Sequence, residues 1–128
     1  MTKMQTRYTL PFVGLGILLL MGISLVVFLN LPDPCSNEVV SEVPSPNGEL
    51  KAVIFTRNCG ATTANSRQIT ILPASHSLPN EAGNVFISDR EPPLTVQWTD
   101  DQNLIIEGGG PNSPFPVPGF PSVRVTYR

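Results

Sequence analysis

The sequence predicts a mainly β protein: one N-terminal transmembrane helix followed by a small antiparallel β-sandwich or open barrel. Three observations predict it. Residues 10–29 form a run of 20 without a charged side chain. Beyond that run, seven short stretches alternate apolar and polar residues between turn signals. The chain carries 14 prolines, and no helical periodicity recurs after the apolar run.

The helix comes first. At about 1.5 Å per residue, 20 residues span roughly 30 Å, the thickness of a bilayer's hydrocarbon core. Ser24 is the only polar side chain in the run, and it can bond a carbonyl of its own helix. Pro11 is expected in the first turn, where a missing N–H does no harm, and Pro32 and Pro34 end the helix. No small-x-small cleavage site follows, and Pro34 stands where a lipoprotein signal needs a small residue before Cys35. The expected reading is therefore an uncleaved anchor, with the lipid bilayer as the partner of residues 10–29. Lys3 and Arg7 precede the run and the next basic residue is Lys51, which puts the N-terminus in the cytoplasm. The expected organisation is a cytoplasmic tail (1–9), a transmembrane helix (10–31), a juxtamembrane linker (32–36) and an extracytoplasmic β-domain (37–128).

Residues 33–128 carry 6 Lys and Arg against 10 Asp and Glu, a net −4, which argues against nucleic acid as a partner. Their length suffices for one domain. The first strand is expected over 38–43. Ser45-Pro46-Asn47-Gly48 then has tight-turn chemistry, because Pro presets φ while Asn and Gly tolerate positive φ. Residues 50–57 follow, with Leu50, Ala52 and Ile54 on one face and Lys51, Val53 and Phe55 on the other. In 67–72, Ile69 and Ile71 oppose Gln68, Thr70 and Leu72. Further strands are expected over 84–88, 94–99, 104–107 and 123–127, with an Asp100-Asp101 turn between the fifth and sixth.

Cys35 and Cys59 are the only cysteines. On an oxidising side of a membrane an even pair reads as one disulfide, the alternative being two unlinked thiols, one of them reactive. It would clamp the start of the domain to the end of the second strand.

The segment Pro44-Ser45-Pro46-Asn47-Gly48-Glu49-Leu50-Lys51-Ala52-Val53-Ile54-Phe55, with Cys59-Gly60-Ala61-Thr62-Thr63 after it, carries a resemblance. So does Ile71-Leu72-Pro73-Ala74 with Gly83-Asn84-Val85-Phe86-Ile87. Together they resemble a group of small, uncharacterised bacterial proteins that are membrane-tethered or secreted. The resemblance covers residues 35–107 and implies no activity, substrate or catalytic residue. It implies a bacterial origin and an extracytoplasmic domain; with the anchor, the expected location is the bacterial inner membrane, with the C-terminal domain periplasmic or extracellular. The chain has Asn47 where the group commonly has Asp.

The search for chemistry returns no catalytic, cofactor or metal residues. His76, the single imidazole, lies in an Ala-Ser-His-Ser loop; pairing with Ser75 or Ser77 would need a distant carboxylate. Asp100 and Asp101 sit where turns favour Asp, and no Lys-Ser/Thr follows Gly108-Gly109-Gly110 to make a phosphate loop. The loop after Cys59 carries small and hydroxyl residues. Gly60, Thr62, Thr63, Asn65 and Ser66 are either a partner-binding surface or a hairpin connection pinned by the disulfide. The Pro-rich stretch 111–121 is either a recognition segment or a cap carrying Phe115 and Phe120. The expected function is a non-enzymatic binding or accessory module acting on an envelope protein or glycan. The alternatives are a small envelope hydrolase using His76 and an assembly subunit of a larger membrane complex.

Overall fold

The uncharged run folds as helix α1 (Thr6–Leu29). The computed structural model describes residues 6–109 and 116–128. Residues 11–29 are long and apolar enough to cross a membrane, and none of that span is buried within the protein. Residues 6–10 are already helical, so Pro11 lies inside α1 and not in its first turn. The prolyl ring therefore costs one backbone hydrogen bond. Asn30 closes the helix with its amide, donating from Nδ2 to Val26 O at 2.7 Å.

Met1–Asp33 and Pro34–Arg128 are separate compact units. The second is a sandwich of two four-stranded sheets. Sheet A is formed by β1 (Ser36–Pro44), β2 (Leu50–Asn58), β3 (Ser66–Pro73) and β4 (Phe86–Ile87), in that order and antiparallel throughout. Sheet B contains β5 (Thr95–Trp98), β6 (Asn103–Glu107), β7 (Pro116–Val117) and β8 (Phe120–Tyr127), in the order β5-β6-β8-β7. Neither sheet closes into a barrel. Strand β7 was not expected, and β6 pairs β8 in parallel, with Leu104 opposite Val125. Because the two strands run in the same direction, β8 enters the sheet from the end at which β6 began.

Strand alternation builds the core. Ala52, Ile54, Ile69, Ile71 and Phe86 from sheet A meet Trp98, Leu104, Ile106, Val123 and Val125 from sheet B. Two pins hold the sheets in register at one end. Trp98 Nε1 donates to Val43 O at 2.9 Å, and Asn47 N donates to Asp101 Oδ1 at 2.8 Å. The turns that supply these atoms satisfy themselves. Gly48 takes φ 73° and its N–H reaches Ser45 O. Asp100 Oδ1 accepts from Gln102 N and Asn103 N, and these bonds with the Asn103 side chain hold its carboxyl below the ordinary 3.8.

Elsewhere in the sandwich, Tyr127 Oη donates to Val85 O, and its ring lies 6.4 Å from Phe86. Burial raises the phenol above its ordinary 10.0, so the folded chain keeps a proton that the unfolded chain has lost. Stability from this group is complete below about pH 10 and falls as pH rises through the higher folded value. A Tyr127→Phe variant is expected to lack that alkaline loss in chemical denaturation series. Matching alkaline limbs would contradict it.

Gly108 ends β6 with φ 103°, and a Cβ there would lie 2.2 Å from Pro93 O. Strain and backbone collision combine, so Gly108→Ala is expected to lower stability by about 2 kcal/mol or more in urea unfolding.

Sheet A has a second buried face. Val53 and Phe55 are fully buried yet point away from the sandwich core, because they alternate with Ala52 and Ile54. Residues 74–82 form a strap across this face. It leaves β3 at Pro73, opposite Leu50, and is tied down near the far end of the β1–β2 hairpin. There Asn37 Nδ2 donates to Pro79 O and Glu81 O, at 2.9 and 2.8 Å. Arg57 Nη1 donates to Asn37 Oδ1 and Asn80 Oδ1, and Asn80 Nδ2 donates to Cys35 O. The chain then turns onto the edge of β3. Asn84 uses its side-chain amide as a strand would, donating to Ile71 O and accepting from Ile71 N at 2.8 Å each.

Candidate functional site

Cys35 and Cys59 form the expected disulfide, with Cα atoms 3.9 Å apart. They lie directly outside the last paired residues of the hairpin, Ser36 and Asn58. The bond thus closes the open end of β1–β2, and the loop into β3 starts from it.

That loop folds as a turn. Gly60 takes φ 105°, its N–H is held by Asn58 Oδ1 at 2.8 Å, and its carbonyl accepts from Thr63 N and Thr63 Oγ1 at 3.2 Å each. Ser66 is half-buried and its Oγ accepts from Gln68 Nε2 at 2.7 Å. Thr62 and Asn65 are exposed, and neither side chain bonds another group among the described residues. The five residues therefore split: Gly60, Thr63 and Ser66 build the loop, while Thr62 and Asn65 present free polar groups.

A concave site lies elsewhere, beside the stretch of β3 that β4 does not reach. It is a cavity of about 450 Å³ between the strap and β3. Thr70, Leu72 and Pro73 line it from β3; His76, Ser77, Pro79, Glu81 and Ala82 from the strap; Phe120 from the start of β8. Asn84 lines it too, locked onto Ile71. No Lys or Arg is among the lining residues. A shallower groove of about 690 Å³ follows residues 83–89, but one segment supplies its whole lining.

The cavity brings His76 and Ser77 together with Glu81; Ser75 is not in its lining. Backbone bonding, His76 N to Pro73 O at 3.0 Å, sets the turn that places them. No hydrogen bond joins the three side chains among the described residues. No group of three or more His, Cys, Asp or Glu is placed to hold a metal among the described residues. Of the Pro-rich stretch, Phe120 packs against the core, as a cap would, while Phe115 lies outside the described residues.

Residues 4–111 match the pattern of a family of unknown function, DUF5412. The chain belongs to that family. The DUF5412 match takes in α1, both cysteines, the loop from Gly60 to Ser66 and every cavity residue except Phe120. Strands β7 and β8 lie beyond it. No curated protein and no solved structure matches the chain.

Proposed function

We propose that this chain is a single-pass protein of the bacterial inner membrane, with its N-terminus in the cytoplasm and its sandwich periplasmic or extracellular. There it acts as a non-enzymatic binding or accessory module for an envelope protein or glycan. One conjunction carries the reading: a membrane-length apolar helix, with Lys3 and Arg7 before it, joined to a domain stapled by a disulfide. Apolar length supports an anchor, the basic flank supports the orientation, and the disulfide supports an oxidising compartment. A signal sequence shares the first of these features but is removed on export.

The loop residues Thr62 and Asn65 are the proposed contact with an envelope protein, since both offer unengaged polar groups on a rigid, disulfide-based turn. A photocrosslinking residue at Thr62 or Asn65, in cells, is expected to give one discrete adduct. The same residue at exposed Pro118 should give none. Equal adduct patterns at all three positions would overturn the loop's role.

A further inference from the structure

We propose that the cavity between β3 and the strap is a saccharide site that takes a neutral or amino-substituted sugar ring. This deepens the binding-module reading above and rests on it for its biological setting.

Thr70 is the deciding residue. It is only 7% exposed, and it lines the cavity. Its hydroxyl has no hydrogen-bond partner among the described residues. Yet no fully sealed side-chain nitrogen or oxygen there lacks a partner. Thr70 Oγ1 therefore keeps some exposure, and the cavity is the opening that Thr70 lines. A hydroxyl withdrawn this far from water, with no partner inside the protein, favours whatever completes its bonding.

The rest of the lining defines the ligand. Leu72, Pro73, Pro79 and Phe120 offer apolar surface, while His76, Ser77 and Glu81 stand on the strap with their side chains unbonded among the described residues. A sugar ring matches that division. Its C–H face lies on apolar and aromatic surface, and each hydroxyl both donates and accepts. The volume, about 450 Å³, falls in the range of small-ligand sites. The sign of charge is also set. With Glu81 present and no Lys or Arg in the lining, a sugar carboxylate or phosphate finds no permanent cation (His76 is the one basic group), whereas an ammonium finds a carboxylate.

The test uses the full-length protein in nanodiscs with labelled Thr and Leu methyl groups, titrated with glucose, glucosamine, N-acetylglucosamine and glucuronate. The three uncharged or amino sugars are expected to shift the Thr70 and Leu72 methyls in a saturable manner. Glucuronate should bind about tenfold more weakly or not at all. Thr70→Val keeps the shape and removes the hydroxyl, and should weaken binding about tenfold, while Gln97→Ala, at an exposed position on β5, leaves it unchanged. Should Thr70→Val not fold, Glu81→Gln at the exposed rim serves instead and is expected to abolish any preference for glucosamine over glucose. The proposal is overturned if no sugar moves the cavity methyls, if glucuronate binds as well as glucose, or if a lysine tripeptide alone produces the shifts. Binding by the purified protein does not depend on which side of a membrane the domain occupies. A negative result therefore leaves the tether reading standing, and a wrong orientation leaves the site standing.

Discussion

Phe55→Ala is expected to lower the unfolding free energy of the sandwich by about 3–5 kcal/mol, the range for removing a buried aromatic ring. Small domains have about 5–15 kcal/mol in all, so this one change would leave the domain marginal. The expectation is not obvious from the strand's position. Phe55 points away from the main core, on a face that a simple two-sheet sandwich would leave in water. It is nonetheless fully buried, between Val39 on β1 and Gln68 on β3 in register, beneath the strap of residues 74–82. Urea unfolding followed by the fluorescence of Trp98, the single tryptophan, measures the loss. A loss below about 1 kcal/mol would mean that the strap leaves this face open, since exposed positions are usually that tolerant.

Removing the disulfide has the second large effect. Cys35 and Cys59 are 24 residues apart, and closing a loop of that size stabilises by about 3 kcal/mol through the unfolded chain. The double variant Cys35→Ala with Cys59→Ala should therefore unfold at a distinctly lower urea concentration. The strap feels the change as well, because Asn80 is bonded to Cys35 O and shares Arg57 with Asn37. Hydrogen exchange should rise in residues 74–82 beyond the global change. Coincident urea midpoints for the oxidised protein and the double variant would contradict the assigned stabilisation.

Much of this architecture is legible from residue chemistry because it is local. An uncharged run of 20 residues has few alternatives to a helix of membrane length. The Ser45–Gly48 and Asp100–Asn103 turns bond as Pro, Asn, Gly and Asp in those positions should. Two cysteines leave one pairing. What could not be read depends on contacts between distant segments. Gln68 and Thr70 have the alternation of a solvent face, yet both are buried. Their cover is a segment of Pro, Ser and Asn with no periodicity, held by side-chain to backbone bonds that no pattern announces. The parallel β6–β8 ladder likewise depends on where a Pro-rich connection delivers the chain. Thr70 thus read as an outward strand residue, and the cavity stayed invisible: its walls come from β3, the strap and Phe120, up to 50 residues apart. His76 stands out for its chemistry, but its sequence neighbours give no sign of Glu81 or Phe120 on the same walls.

The central claim, a domain held outside the cytoplasm by an intact anchor, is tested most directly by protease access. Cells expressing the full-length chain with distinct tags at each end are converted to spheroplasts and treated with protease. The C-terminal tag is expected to be digested while the N-terminal tag survives, still joined to α1 in the membrane fraction. Digestion of the N-terminal tag with protection of the C-terminal one would contradict the orientation. A soluble C-terminal fragment released without protease would show instead that the helix is a cleaved signal sequence.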